Sequence, residues 1–249
     1  MTGPVSMLAQ LGAFGLFVGA FLRASIRHRL PLERTLEEAY RIGVQSLPIL
    51  LIVSMFVGTN LAVQGHNAFE QLGGQSMVGT FVALAGVREM APIMVASMVA
   101  AKAGTEMASQ IAVMRIQEQI DALEVMAIDP LWFLVTPRLL GILLVLPALT
   151  MISVATLLGA AWMVAVGQLG LNGTEFVAQC AEITRTADLA FGAVKAFVFG
   201  GIICLVSCFF GYTSPRGPAG VGRATNAAVV VSAVVCAILN YVLSEILYG

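Results

Sequence analysis

Charge is what this sequence has least of. Only 11% of its 249 residues are charged, while 59% are hydrophobic. A water-soluble domain carries about a quarter charged residues, so an ordinary soluble fold is excluded. Histidine is scarce: His28 and His66 stand far apart, and no Cys/His cluster has metal-ligand spacing. The four cysteines form no CxxC pair. Cys204, Cys208 and Cys236 sit in apolar runs, where a thiol acts as a small hydrophobe, and Cys180 sits in a short polar segment. No phosphate-cradling loop is present either. GPAGVGRAT at 217–225 lacks the Gly-Lys-Ser/Thr ending and reads as a tight loop between two helices. The sequence therefore offers no metal site, no catalytic constellation, no cofactor site and nothing suited to nucleic acid.

What remains is long apolar stretches. Several reach the roughly 20 residues that cross a bilayer as a helix. Five spans are expected, at about 43–64, 76–104, 137–167, 190–212 and 226–248. Ahead of them, VSMLAQLGAFGLFVGAFL at 5–22 is apolar, glycine-rich and short, and a basic cluster, RASIRHR, follows it. A signal peptide has the reverse charge order. A helix lying in the membrane interface is expected here, with a true first span as the alternative. PLERTLEEAYR at 31–41 reads as a polar amphipathic connector with charges at helical spacing.

Orientation follows from lysine and arginine in the short loops. Arg23, Arg27, Arg29, Arg34 and Arg41 precede the first span. Lys102, Arg115 and Arg138 flank the loop after the second, and Arg216 and Arg223 follow the fourth. The opposite loops hold Arg185 alone. This bias places the N-terminus and the loop at 105–136 in the cytoplasm.

Two polar groups interrupt the oil. Arg88 and Glu89 lie in the second span, where each charge costs at least about 2.5–3.5 kcal/mol at the bilayer centre. Either they pair with each other or lie near the far interface, or they line a cavity in which Arg88 meets an anionic group and Glu89 orients it. Thr59, Asn60 and Gln64 form a second group near the outer end of the first span. They suit helix bridging, with Asn60 and Gln64 as alternative cavity lining. Pro92 is expected to kink the helix beside the charged pair. AAKAG at 100–104 and GAA at 159–161 suit close helix packing.

The most unusual stretch is RIQEQIDALEVMAIDP at 115–130, with five charges and two glutamines between two oily runs. Helical spacing puts Ile116, Ile120, Leu123 and Ala127 on one face and Glu118, Asp121 and Glu124 on the other. One helix of about three turns over 115–127 is expected, stopped by Asp129-Pro130, with an acidic face turned outward. Two to eight residues would suffice to join two spans, so a helix here suits docking into a basic groove on a soluble partner.

EMAPIMVASMVAAKAGTEMASQIAVMRIQEQIDALEVMAIDPLWFLVTPRLLG, residues 89–141, resembles the signature region of the MlaE/YrbE permeases, the membrane subunits of Mla- and Mce-type ABC lipid transporters. EQIDALEVM and the following DP…L…PR pattern carry most of the likeness. The chain departs at Lys102-Ala103-Gly104 and Thr105-Glu106, where many relatives have Arg-Val-Gly and small residues, but it keeps the positive charge. The resemblance implies an all-α integral membrane protein: an N-terminal interfacial helix, five transmembrane helices and a cytoplasmic coupling helix at 115–127 between the second and third. It implies a homodimeric, non-catalytic permease of the bacterial inner membrane that moves phospholipid or a related lipid. ATP would be bound by a separate cytoplasmic ABC ATPase. An MCE-domain substrate-binding protein and a STAS-domain regulator are further implied partners. Arg115, Glu118, Asp121 and Glu124 are the expected ATPase contacts. Arg88, Glu89, Asn60 and Gln64 are the expected lipid-cavity residues. The rival expectation is an ion-coupled secondary transporter, with Glu89 as its one candidate for proton coupling.

Overall fold

A computed structural model describes residues 4–27, 31–70, 74 and 77–248. His28 and Arg29 of the basic cluster lie outside them. Among the described residues every regular element is helical: α1 (Pro4–Arg27), α2 (Leu32–Glu70), α3 (Val78–Ile116), α4 (Gln119–Val125), α5 (Pro130–Gly167), α6 (Gly173–Ile183), α7 (Thr186–Tyr212) and α8 (Pro218–Tyr248). Five of them, α2, α3, α5, α7 and α8, are long and apolar enough to cross a membrane. The apolar part of α1, Ala9–Ser25, is shorter.

The helices outrun the expected spans because nothing stops them. The connector at 31–41 and the first span form one 39-residue helix, since only Gly43 separates charge from oil and a lone glycine costs about 1 kcal/mol. Asp129 ends the island and starts α5, its Oδ1 accepting the amides of Leu131 and Trp132. Asn172 caps α6 in the same way, through the amide of Thr174. The glycine-rich stretch at 217–225 is loop only at its start. Gly217 takes a φ of +114° and Pro218 opens α8. A Cβ at Gly220 would sit 1.9 Å from the carbonyl oxygen of Pro215, so only glycine lets the loop close on the new helix.

The chain forms two compact units. The first comprises 1–42, 99–142 and 200–235. Its core holds Ile42, Met107, Ile111, Ile142, Ile203 and Phe209. On its edge, Phe14 and Phe17 of α1 pack edge-on to Phe209. The helices α3 and α7 come very close here: a Cβ at Gly211 would lie 2.7 Å from the carbonyl oxygen of Ala108. Among the described residues, nine of the twelve basic ones belong to this unit.

The second unit comprises 43–98, 143–199 and 236–249. Ala62, Val78, Val82, Leu157, Ala161 and Phe176 form its main cluster. At Gly58 a Cβ would stand 2.1 Å from the carbonyl oxygen of Leu157, so α2 and α5 touch backbone to backbone. Four residues before Gly58 and Leu157, on the same two helices, the hydroxyls of Ser54 and Ser153 bond at 2.7 Å, fully buried. That is how a membrane helix pair gains affinity without a hydrophobic driving force. The start of α3 packs against α6, with Gln179 accepting the Gly79 amide. Burial in this contact pushes the Cys180 thiol up to about 11.

Candidate functional site: a buried ion-pair cluster and an acidic turn

In the second unit the backbone of α3 is irregular where its charges sit. It widens into π turns over Ala83–Met90, a feature that often marks functional positions in helices. Pro92 has no N–H to offer the carbonyl four residues back, which belongs to Arg88. Lys195 of α7 fills that place, its Nζ donating to the Arg88 carbonyl at 2.9 Å. A proline in one helix thus creates the acceptor for a lysine in another.

Arg88 and Glu89 do not pair with each other. Arg88 makes a two-point contact with Asp188, Nε to Oδ1 and Nη2 to Oδ2, both at 3.2 Å. Asp188 is buried in the first turn of α7 and also accepts the Arg185 amide at 2.9 Å. Glu89 receives Lys195 at 3.3 Å and Asn240 at 2.7 Å, and lies 2.7 Å from the hydroxyl of Ser244. Lys195 Nζ also donates to Ser244 at 2.7 Å. Arg88 and Lys195 both lie 4.9 Å from the ring centre of Tyr248. Two cations and two anions therefore balance, joining α3, α7 and α8. Lys195 is fully buried, but the side chains of Arg88 and Glu89 remain 28% and 37% exposed. The expected partners in the first span behave differently. Gln64 donates to Asn60 along an exposed face of α2, and Thr59 bonds the Met55 carbonyl.

Sequence reasoning missed Lys195, Asp188, Asn240, Ser244 and Tyr248. For Lys195 the signal was present: one cation inside DLAFGAVKAFVFG, the same oddity that singled out Arg88.

The acidic island lies in the first unit and departs from a single three-turn helix. α3 runs on to Ile116, the chain turns at Gln117 and Glu118, and α4 spans only seven residues. The break has a cause at each end. Arg115 turns inward, donating to the Tyr212 carbonyl and lying over its ring, which ties the end of α3 to the end of α7. Glu118 takes a left-handed φ of 58°. α4 ends in a Schellman turn, with the Ile128 amide bonding Leu123 and the Ala127 amide bonding Glu124. Ala127 occupies the left-handed position at φ 60°, where glycine is usual. Ile120 and Leu123 are buried as expected. Glu118, Asp121 and Glu124 are exposed, and the first two lie 3.9 and 3.7 Å from Arg216. Such exposed pairs are worth about 0–1 kcal/mol. Beside them Val125 and Met126 stand 87% and 61% exposed, a pair of large apolar side chains inside an acidic rim. Behind the island, Arg138 is buried and contacts Glu38 and Gln110, and Arg41 pairs with Glu106.

The profile of the family described as permease MlaE matches residues 35–246. A probable ABC transporter permease protein of Rickettsia felis is 35% identical over 244 residues, covering 98% of this chain and 94% of the relative. The chain belongs to the MlaE permease family. An intermembrane phospholipid transport system permease protein MlaE of Haemophilus influenzae is 29% identical over 237 residues, 95% of this chain and 89% of that protein. The chloroplastic protein trigalactosyldiacylglycerol 1 of Arabidopsis thaliana is 30% identical over 94% of this chain and 67% of its own length. As a permease of the ABC-transporter type the chain is a multi-pass membrane subunit, and such a subunit works with a separate ATPase. The matched span takes in the four charged residues of the ion-pair cluster and the acidic turn.

Proposed function

We propose that this permease moves phospholipid or a related lipid between a bacterial inner membrane and the cell envelope, driven by a cytoplasmic ATPase. The observation that carries the reading is the acidic turn. Its inner face is anchored by Ile120 and Leu123, while Val125 and Met126 are left uncovered within a rim of Glu118, Asp121 and Glu124. Apolar anchors inside a charged rim are the anatomy of a protein interface. The acidic sign suits a basic groove on the partner. The inward contact of Arg115 with Tyr212 would pass a push on this turn into α3 and α7, so Arg115 acts through position and the three acids through contact.

The permease works as a homodimer, because five helices enclose only part of a lipid pathway. Its N-terminus and acidic turn face the cytoplasm, as the concentration of basic residues in the first unit supports. The chain itself hydrolyses nothing. Arg88 and Glu89, each partly exposed, contribute to the lipid cavity, with Asn60 and Gln64 on an exposed face of α2. The name of the Haemophilus relative supports phospholipid as cargo. An MCE-domain protein on the far side and a STAS-domain regulator complete the assembly. Glu89 is held by Lys195, Asn240 and Ser244, which leaves little support for ion-coupled transport through it.

The test is co-purification with candidate cytoplasmic ATPases, and their ATPase activity, for the native chain and for Glu118→Lys/Asp121→Lys/Glu124→Lys. The reading expects loss of both binding and stimulation with the permease still folded. Unchanged binding would reduce the turn to a solvated connector.

A further inference from the structure

The first unit contains a groove of about 480 Å³ that neither the ion-pair cluster nor the acidic turn uses. It runs between α1, the end of α7 and the start of α8. Its walls are mainly apolar, with Ala13 on one side, Phe209 and Phe210 on the second, and Ala227 on the third. Four polar side chains lie on it: Gln10 of α1, Thr213 and Ser214 just after α7, and Arg223 of α8; the two hydroxyls donate to the carbonyls of Phe209 and Pro215. The Arg223 Nε makes one long bond, 3.4 Å, back to the Ala219 carbonyl. Among the described residues no carboxylate lies within ion-pair distance of it. In the same unit Arg41, Arg138 and Arg216 all have carboxylate partners.

We propose that this groove binds one membrane lipid, an acyl chain lying along Ala13, Phe210 and Ala227 and the headgroup phosphate on the Arg223 guanidinium. An apolar groove on a membrane protein meets hydrocarbon rather than water, so a chain fills it at little cost. Arg223 lies at the polar end of such an amphiphile, its stem along the wall and its planar fork free. That fork matches phosphate in a two-point contact, and Gln10 adds an amide donor on the α1 side. A soluble phosphate compound gains nothing from the apolar walls, so the occupant is a lipid. The site is separate from Arg88 and Glu89, and it rests on the membrane placement alone, not on transport or ATPase coupling.

The test uses the full chain carrying Phe210→p-benzoylphenylalanine, reconstituted in vesicles of phosphatidylcholine and phosphatidylglycerol in equal parts. Photo-adducts are identified by mass spectrometry. A phospholipid adduct at position 210 is expected. Arg223→Ala should lower its yield about tenfold, the usual worth of one charge-assisted two-point contact, and Arg223→Lys should restore part of it. Ala227→Phe fills the groove and should lower the yield without touching the arginine, so misfolding of one variant leaves the other to decide. Replacing phosphatidylglycerol by diacylglycerol should leave phosphatidylcholine as the main adduct, with little diacylglycerol attached. Three results would overturn the proposal. These are equal adducts for diacylglycerol and phospholipid, competition by soluble glycerol phosphate, or an adduct to protein in place of lipid.

Discussion

Consider Glu89→Gln. Lys195 is fully buried, and its ammonium has three acceptors: the Arg88 carbonyl, Ser244 and Glu89. Glutamine keeps the shape and one acceptor oxygen but removes the one carboxylate that Lys195 contacts among the described residues. Leaving a buried charge without its counter-ion costs about 3–5 kcal/mol. The reciprocal change, Lys195→Met, strands Glu89, but that carboxylate is 37% exposed and keeps Asn240 and Ser244 as donors. Those two bonds reduce the cost to about 1–2 kcal/mol. The order is therefore predicted: Glu89→Gln is worse than Lys195→Met. The double variant recovers about 0.5–3 kcal/mol relative to the sum of the singles. Unfolding of the detergent-solubilised protein in mixed micelles, followed by tryptophan fluorescence, measures all three. Equal costs, the reverse order, or strict additivity would refute the account of Lys195 as a sealed cation dependent on Glu89.

Other expectations follow from particular contacts. Gly58→Ala must push α2 off the Leu157 carbonyl and should cost about 1–3 kcal/mol as an overpacking change, whereas Gly159→Ala, with open space around it, should be neutral in the same unfolding assay. Ser54→Ala strands the buried Ser153 hydroxyl and should cost about 1–2 kcal/mol, and Ser54→Ala/Ser153→Ala should cost less than twice that. Ala127→Gly relieves a left-handed alanine worth about 1–2 kcal/mol and should raise the stability of the first unit, measured as slower proteolysis at the acidic turn. Because burial pushes the Cys180 thiol up to about 11, its thiolate fraction rises with pH well past the ordinary thiol near 8.5. Maleimide labelling of Cys180 in native protein should stay slow at pH 8 and still be climbing at pH 10, when mass spectrometry of the peptide would show an ordinary thiol levelling off.

The five long helices were legible because length and oiliness alone specify a membrane span. Their true ends were less legible. Residues 31–41 joined the first span since no residue there breaks a helix, and charge by itself does not. α6 was missed because eleven amphipathic residues between two long apolar runs look like a loop until Asn172 is seen capping them. The island's break at Gln117 and Glu118 depends on Arg115 reaching Tyr212, a contact spanning nearly a hundred residues that no local pattern reveals. Its buried face, Ile120 and Leu123, was legible from spacing. In the ion-pair cluster, Arg88 and Glu89 stood out as charges in oil. Their partners did not, because pairing at this distance is set by how α7 and α8 pack on α3, and Asn240 and Ser244 are unremarkable in a helix read alone. In the sequence Pro92 implies a kink. Its larger consequence, the free Arg88 carbonyl taken by Lys195, appears only in three dimensions.

The most direct measurement is lipid transfer itself. The permease is reconstituted with its ATPase in liposomes holding a fluorescent phospholipid, and movement of that lipid to an acceptor is followed with and without ATP. Transfer that requires ATP, and that Glu118→Lys/Asp121→Lys/Glu124→Lys abolishes while the protein stays folded, is the predicted result. Transfer that proceeds without ATP and follows an imposed proton or sodium gradient would contradict it.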